Sequence, residues 1–150
     1  MDLPEDDDFL NRVIDINPIN IDEHFRRVPA ELAYYNNEYA NAVERFLTAK
    51  MNTEKSWAQA YKDAAQAAEV NGKKITVAAL NAEVELTLFY QAARAELASA
   101  EADKQRCRGK VETVSAKKEM LISLGAHLRS EMTDPMVRKQ VSDSRETRDS

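Results

Sequence analysis

The feature that most constrains the fold is a stripe of thirteen positions, spaced alternately by three and four residues along the second half of the chain. Such spacing places side chains along one face of an α-helix and is typical of a coiled-coil seam. A helix with this seam must lie against another long helix, because nothing else would cover the stripe along its whole length. Eleven of the positions are apolar or small and two are lysines: Tyr90, Ala93, Leu97, Ala100, Lys104, Cys107, Val111, Val114, Lys118, Leu121, Gly125, Leu128 and Met132.

A second long helix is predicted upstream, over about residues 29–71, where apolar residues also recur by threes and fours. Pro29 suits the first helical turn, because its missing N–H would have no partner there anyway. Asn71 and Gly72 follow the last periodic residues, and both tolerate the left-handed conformation that ends helices.

A short middle helix is predicted over about residues 77–86, followed by a third helix over about residues 88–132. Thr76 precedes the middle helix and can accept a hydrogen bond from one of its free backbone N–H groups. Thr87 either caps the third helix or lies inside one continuous helix, and the sequence leaves both alternatives open.

The two ends of the chain differ in composition from the helical middle. Residues 1–28 contain "LPEDDD" and "INPINIDEHF", which predict a largely extended or disordered acidic arm. Residues 133–150 are polar and lack periodicity, which predicts a disordered tail. We therefore expect an all-α protein in which a helical domain at residues 29–132 forms a long antiparallel, coiled-coil-like hairpin.

The net charge of -5 hides a strong asymmetry along the chain. Residues 1–31 carry nine acids against three arginines, a net charge of -6, whereas residues 104–129 carry seven bases against two acids, a net charge of +5. Two interpretations of the basic segment stay open. Its side chains either pair with acids of the first helix or stay free to contact a phosphate backbone.

The lysines on the seam bear on how the long helices pair. An in-register parallel homodimer would set Lys104 and Lys118 against their own copies, so packing within the chain against the first helix is favoured. Gly125 also lies on the seam, where it is expected to allow close approach of another backbone at a subunit contact, despite costing about 1 kcal/mol in a helix interior. The residues assigned to packing or oligomer contacts are Leu97, Val111, Val114, Leu121, Gly125 and Leu128.

The sequence contains no catalytic or metal-binding signature. His24 and His127 are its only histidines and Cys107 its only cysteine, which is too few for a zinc-type ligand set, and no glycine-rich phosphate loop occurs. We expect a protein that is not an enzyme and uses no metal or cofactor. No apolar run is long enough to span a membrane and the acidic start is unlike a signal peptide, so a cytoplasmic location is expected.

The order of segments over residues 30–132 resembles that of the UvsY-like recombination mediators of tailed phages. The resemblance rests on "KITVAALNAEVEL" and "YQAARAELASAEADKQRCRGKVETVSAKKEMLISLGAHLRSEM", and most specifically on "KKEMLISLGAHLRSEM". It implies a small helical protein that forms a ring-like homo-oligomer, binds single-stranded DNA and helps load a RecA-like recombinase onto strands covered by single-strand-binding protein. The chain departs from the family at "ELTLFYQAAR", which lacks the Asp/Asn-Pro turn expected before "YQ", so the hinge there stays open.

On that resemblance, the basic segment is given a role in DNA binding. The hypothesis assigns phosphate contacts to Lys110, Lys117, Lys118 and Arg129, with Arg106 and Arg108 as weaker candidates. The acidic residues 2–8 are expected to bind a basic surface of a protein partner or to cover the DNA site. The competing interpretation is a structural or scaffolding helical protein, such as a phage assembly factor, that acts through protein contacts only.

Overall fold

The computed structural model describes Phe9, Val13 and residues 16–133 of the 150-residue chain. Among these residues there are three α-helices and no strand: α1 (Ile21–Val70), α2 (Val77–Glu85) and α3 (Leu88–Thr133). The prediction of an all-α chain, with a short helix between two long ones, is confirmed. The predictions for the acidic residues 2–8 and for residues 134–150 of the tail lie outside the described residues.

Helix α1 begins at Ile21, so the predicted start at Pro29 is wrong and the arm does not extend to residue 28. A short 3-10 turn precedes the helix, and the Asn17 side chain accepts a hydrogen bond from the Ile19 N–H at 3.0 Å. Pro29 lies inside α1, where proline costs about 3 kcal/mol because it lacks an N–H and clashes with the preceding turn. Burial of apolar side chains in these first turns offsets that cost, and Val28 is only 3% exposed.

Helix α1 ends at the predicted turn. Gly72 has a φ of 63°, its N–H donates to the Glu69 carbonyl at 3.0 Å, and the Lys73 N–H donates to the Ala68 carbonyl at 3.0 Å. These two bonds form a Schellman motif, which satisfies carbonyls that the helix end would otherwise leave free. The predicted cap of α2 is confirmed as well, because the Thr76 hydroxyl accepts a hydrogen bond from the Ala79 N–H at 3.2 Å.

The chain breaks between α2 and α3 at Leu86 and Thr87, which settles the alternative that the sequence left open. The Thr87 hydroxyl donates back to the Glu83 carbonyl at 3.1 Å, so it closes α2 instead of capping α3. The Gln91 side chain donates to the Glu85 carbonyl at 2.9 Å and ties the first turn of α3 to the end of α2.

The chain divides into two compact units: a central unit, Tyr35–Lys110, and a terminal unit made of Met1–Tyr34 and Val111–Ser150. In the central unit α1 packs antiparallel to α3. The Thr53 hydroxyl lies 3.2 Å from the Ala93 carbonyl, and the Lys104 ammonium lies 3.6 Å from the centre of the Phe46 ring. The ring accommodates the lysine on the seam through a cation–π contact.

A hydrophobic core of the central unit lies where all three helices contribute. It consists of Ala60, Val84 and Tyr90, with Tyr61 packed against it. Trp57 stacks on Tyr61 with ring centroids 5.1 Å apart. Since α2 contributes Val84, this short helix closes one end of the core that α1 and α3 share.

In the terminal unit α1 again packs antiparallel to α3, and part of the seam is buried within the chain. Val114 and Leu121 are fully buried there. A Cβ atom on Gly125 would lie 3.5 Å from two ring carbons of Phe25, an ordinary contact distance. Within the chain, the neighbour of Gly125 is therefore an aromatic side chain, and the expected subunit contact at Gly125 stays a prediction. Leu97, Val111, Gly125 and Leu128 are half-buried.

The glycines give a matched prediction. Nothing lies within 4 Å of a Cβ built on Gly109, in the middle of α3, whereas Gly72 needs a positive φ. Gly109→Ala is therefore expected to raise the free energy of unfolding by about 0.5–1 kcal/mol, because alanine favours the helix. Gly72→Ala is expected to lower it by about 1 kcal/mol, because a left-handed residue with a Cβ is strained. Urea unfolding of both variants measures the effects, and equal shifts would contradict the assignment of the Gly72 turn.

Candidate nucleic-acid interface

Lys117 is not available to a ligand, which corrects its assignment to the DNA-binding face. Its side chain is only 3% exposed, and its ammonium lies 3.4 Å from a carboxylate oxygen of Glu31, whose side chain is 25% exposed. The two residues belong to α1 and α3 of the terminal unit. Burial of an ammonium without a partner is strongly unfavourable, so the buried Lys117 depends on the Glu31 carboxylate.

Lys118 faces solvent, although the strict seam placed it on the buried stripe. Around this point the buried positions are Val114, Lys117 and Leu121, which lie one residue out of step with the seam lysine. The shift coincides with the first turns of α1, which the sequence analysis assigned to the arm. Because those turns are helical, they contact a part of α3 that an extended arm would have left uncovered.

The three candidate bases that lie in the central unit, Arg106, Arg108 and Lys110, take part in interactions within the chain. Arg106 forms an ion pair with Asp103, three residues earlier on the same helix. Arg108 and Lys110 also take part in interactions within the chain, so neither is counted as free. Exposed pairs of this kind contribute only about 0–1 kcal/mol, and a polyanion can displace them. They are thus secondary candidates, in line with the weaker rank that the sequence gave to Arg106 and Arg108.

Lys118 and Arg129 are exposed, and neither forms an ion pair with any residue that the structure describes. Eleven residues are about three helical turns, so the two side chains lie on one face of α3, about 16 Å apart along its axis. Ile122 lies on the same face between them and is 50% exposed. We call these three residues the basic stripe.

The basic stripe contains no acid. The nearest acidic residues in sequence are Glu119, beside Lys118, and Glu131, two residues from Arg129, and they lie about 100° and 160° around the helix from these bases. A ligand along the stripe therefore meets two cations and an apolar side chain. Cations on one face at this spacing can contact phosphates two or more nucleotides apart on a nucleic-acid backbone, while the isoleucine offers an apolar contact to a base.

Two further exposed lysines escaped the sequence assignment of the site. Lys73 and Lys74 follow Gly72 in the turn between α1 and α2, and neither pairs with an acid among the described residues. The sequence signal for them is the lysine pair at the end of "VNGKK", directly after the residues that end helix α1. They belong to the central unit and carry the same charge, +2, as Lys118 and Arg129 of the basic stripe.

Two further features of the described part of the chain concern metal binding and membrane spanning. Phe9, Val13 and residues 16–133 hold no group of three or more His, Cys, Asp or Glu side chains placed to bind a metal. No helix over the same residues is long and apolar enough to cross a membrane. Cys107 is a half-buried free thiol.

Comparison of the chain with protein-family models, with curated proteins and with solved structures finds no match.

Proposed function

We propose that this protein binds single-stranded DNA through the basic stripe and acts as a recombination mediator, helping to load a RecA-like recombinase during phage DNA recombination, repair or replication. The observation that carries the DNA-binding part is the pair of exposed cations, Lys118 and Arg129, on an acid-free face of α3. Positively charged surfaces that track the backbone are the common device of proteins that bind single strands without sequence preference.

The stripe by itself supports only weak binding. Two phosphate contacts per chain on a single strand correspond to a slope of about -1.4 when the logarithm of the binding constant is plotted against the logarithm of the salt concentration. Several copies acting on one strand multiply such weak contacts through their high effective concentration. The proposal therefore includes a homo-oligomer as the functional form.

The recombinase and the single-strand-binding protein enter the proposal through the resemblance of residues 30–132 to the phage mediators. Such a role needs no catalytic group and no cofactor, and it places the protein in the cytoplasm of the infected cell. The acidic residues 2–8 are the segment we assign to a basic surface of a protein partner.

Fluorescence anisotropy of a labelled single-stranded oligonucleotide tests the DNA-binding part. The double variant Lys118→Ala/Arg129→Ala is expected to weaken binding at least tenfold, which corresponds to about 1.4 kcal/mol per binding unit, and to flatten the salt dependence. The measurement is made between about 50 and 200 mM salt, where phosphate contacts have their largest effect on affinity.

The control for this experiment is Lys73→Ala/Lys74→Ala, which removes the same charge from the turn between α1 and α2. It should change the affinity for the oligonucleotide less than threefold. Equal losses in the two double variants would show that net charge, and not the basic stripe, governs binding. Failure of the unaltered protein to bind at 50 mM salt would refute the proposal.

A protein-only scaffolding role is the second candidate, and exposed apolar side chains favour it. At the junction of α2 and α3, Leu86 is 73% exposed, Leu88 81% and Phe89 45%. Clustered exposed apolar residues are typical of protein–protein contact sites. A scaffold would leave the mobility of single-stranded DNA unchanged in a gel, whereas a mediator would retard it.

A further inference from the structure

A small aromatic pocket lies between α1 and α3 in the central unit. It has a volume of about 240 Å³ and is lined by Thr53, Glu54, Trp57 and Tyr90. Sites that enclose a whole small molecule are usually larger, about 300–1,000 Å³. The size of this pocket therefore suits the end group of a side chain better than a complete metabolite.

The pocket uses one face of the Trp57 indole, because the other face is covered. Tyr61, one turn further along α1, stacks on Trp57 with ring centroids 5.1 Å apart and planes inclined by 23°. Thr53 and Glu54 lie one turn before Trp57, on the opposite side of the indole. Trp57 is 39% exposed, so the face toward the pocket is open to a ligand.

Packing holds the other walls of the pocket in place. Tyr90 is 9% exposed and belongs to the hydrophobic core that all three helices share. The Thr53 hydroxyl lies 2.9 Å from the Ala49 carbonyl oxygen and 3.2 Å from the Ala93 carbonyl oxygen, which ties α1 to α3 beside the pocket. Walls that are fixed before a ligand enters reduce the conformational entropy lost on binding.

Glu54 is the charged residue of the lining. It is exposed, and its carboxylate forms no ion pair or hydrogen bond with any residue that the structure describes. Glu54 and Trp57 are three residues apart on α1, so their side chains are neighbours on the helix surface. A ligand in the pocket thus meets an aromatic face and an unpaired carboxylate side by side.

We propose that this pocket binds the guanidinium group of an arginine side chain presented by a protein partner. A guanidinium group is planar, so it stacks on an indole face, and its N–H groups donate to a carboxylate in bidentate geometry. The faces of Trp57 and Tyr90 are negative and attract a cation, and tryptophan binds cations best among the aromatic residues. A lysine ammonium would meet the same charges, but it lacks the flat surface that stacks on the indole.

Arg94 and Lys50 are bases of the chain near the pocket, and neither lines it. The Arg94 guanidinium lies 5.8 Å from the centre of the Tyr90 ring and forms an ion pair with Glu85 at 2.6 Å. Lys50 is exposed and lies one turn before Glu54 on α1, and the two residues do not pair. An arginine ligand must therefore compete with Lys50 for the Glu54 carboxylate.

The arginine pocket goes beyond DNA binding and does not rest on the basic stripe. A mediator and a scaffold both act on protein partners, so the pocket fits either candidate function. Because it is tested with a peptide and without DNA, its failure and the failure of the DNA-binding proposal are distinguishable.

Fluorescence of the full-length protein tests the pocket, because Trp57 is the only tryptophan of the chain. The protein is titrated at constant ionic strength with the peptide amide acetyl-Gly-Arg-Gly, and the fluorescence is expected to change and to saturate in the millimolar range. Peptides with lysine or the uncharged citrulline in place of arginine should bind about threefold and about tenfold more weakly, respectively. In NMR spectra, the δ-methylene protons of the bound arginine should shift upfield, because they lie over the indole.

Three variants locate the charge that binds the peptide. Glu54→Gln keeps the shape of the side chain and should weaken binding about tenfold, because the bidentate acceptor is lost. Lys50→Gln removes the competing base and should strengthen binding about twofold. Glu69→Gln is the matched control, because Glu69 is exposed and lies about 22 Å further along α1, beyond the screening length of about 8–10 Å. It should leave the affinity unchanged.

The proposal is overturned if the arginine peptide gives no saturable change, if the citrulline peptide binds equally well, or if Glu54→Gln binds as tightly as the original protein. Thymidine monophosphate, titrated in place of the peptide, tests whether the pocket stacks a nucleobase instead. Tighter binding of that nucleotide than of the arginine peptide, strengthened further by Glu54→Gln, would assign the pocket to a base and not to arginine. All three substituted positions are exposed, so circular dichroism should show unchanged helicity.

Discussion

Glu31→Ala is expected to lower the free energy of unfolding by about 3 kcal/mol, one of the two largest effects of a single substitution predicted for this chain. The reason is the position of its partner: the Lys117 side chain is 3% exposed, and the Glu31 carboxylate 3.4 Å away is the acid it pairs with. Removal of the carboxylate leaves a buried ammonium without a counter-charge, and losing one partner of a buried pair costs about 3–5 kcal/mol. We expect the lower end of that range because Glu31 is itself a quarter exposed.

Lys117→Met is the matched variant, because it removes the buried charge while a side chain of similar size stays buried at the site. Methionine has a similar length without the charge, so the site stays filled and Glu31, at the edge, can reach water. The free energy of unfolding is expected to stay within about 1 kcal/mol of the original value or to rise. Urea unfolding followed by circular dichroism, at one fixed protein concentration, measures both variants. If Lys117→Met were as destabilising as Glu31→Ala, the ammonium would have an essential contact other than Glu31.

The sequence does not predict which of the adjacent lysines, Lys117 or Lys118, is buried. Spacings of three and four fit a buried stripe through either residue, since a helix face is broader than one position. The choice depends on what covers the helix. The partner of Lys117 is 86 residues away in sequence, and the turns of α1 next to that partner had been assigned to an irregular arm. No local pattern contains this information.

Local signals gave the better predictions. The C-terminal end of α1 follows from Gly72, through its backbone angle, and the start of α2 follows from Thr76, through a hydrogen bond to a residue three positions on. The start of α1 failed because Pro29 was given its usual role at a helix start, although Ile21, Phe25 and Val28 already continue the helical spacing upstream. Packing then overrode the local preference of proline.

For the candidate interface, the sequence could identify the basic segment but not which of its bases stay accessible. The pair between Arg106 and Asp103 was readable, because residues three apart on a helix are neighbours. The burial of Lys117 could not be predicted from neighbouring residues, because its partner Glu31 is 86 residues away in sequence. The structure accordingly reduces six candidate bases to two exposed ones without an ion pair among the described residues, Lys118 and Arg129. Because each chain offers only two such bases, a DNA-binding role would depend on several chains acting together.

Leu121→Ala is expected to lower the free energy of unfolding by about 3 kcal/mol, and it tests the packing of α3 directly. Leu121 is fully buried in the terminal unit, and truncating such a side chain loses its transfer free energy and leaves a cavity. The neighbouring Met120 is 60% exposed, so Met120→Ala should change stability by less than about 0.5 kcal/mol. Urea unfolding of the two variants side by side gives the comparison. Because adjacent positions on a helix point about 100° apart, a reversed order of the two effects would mean that α3 is rotated by one residue, and that Ala116, not Lys117, takes the buried position.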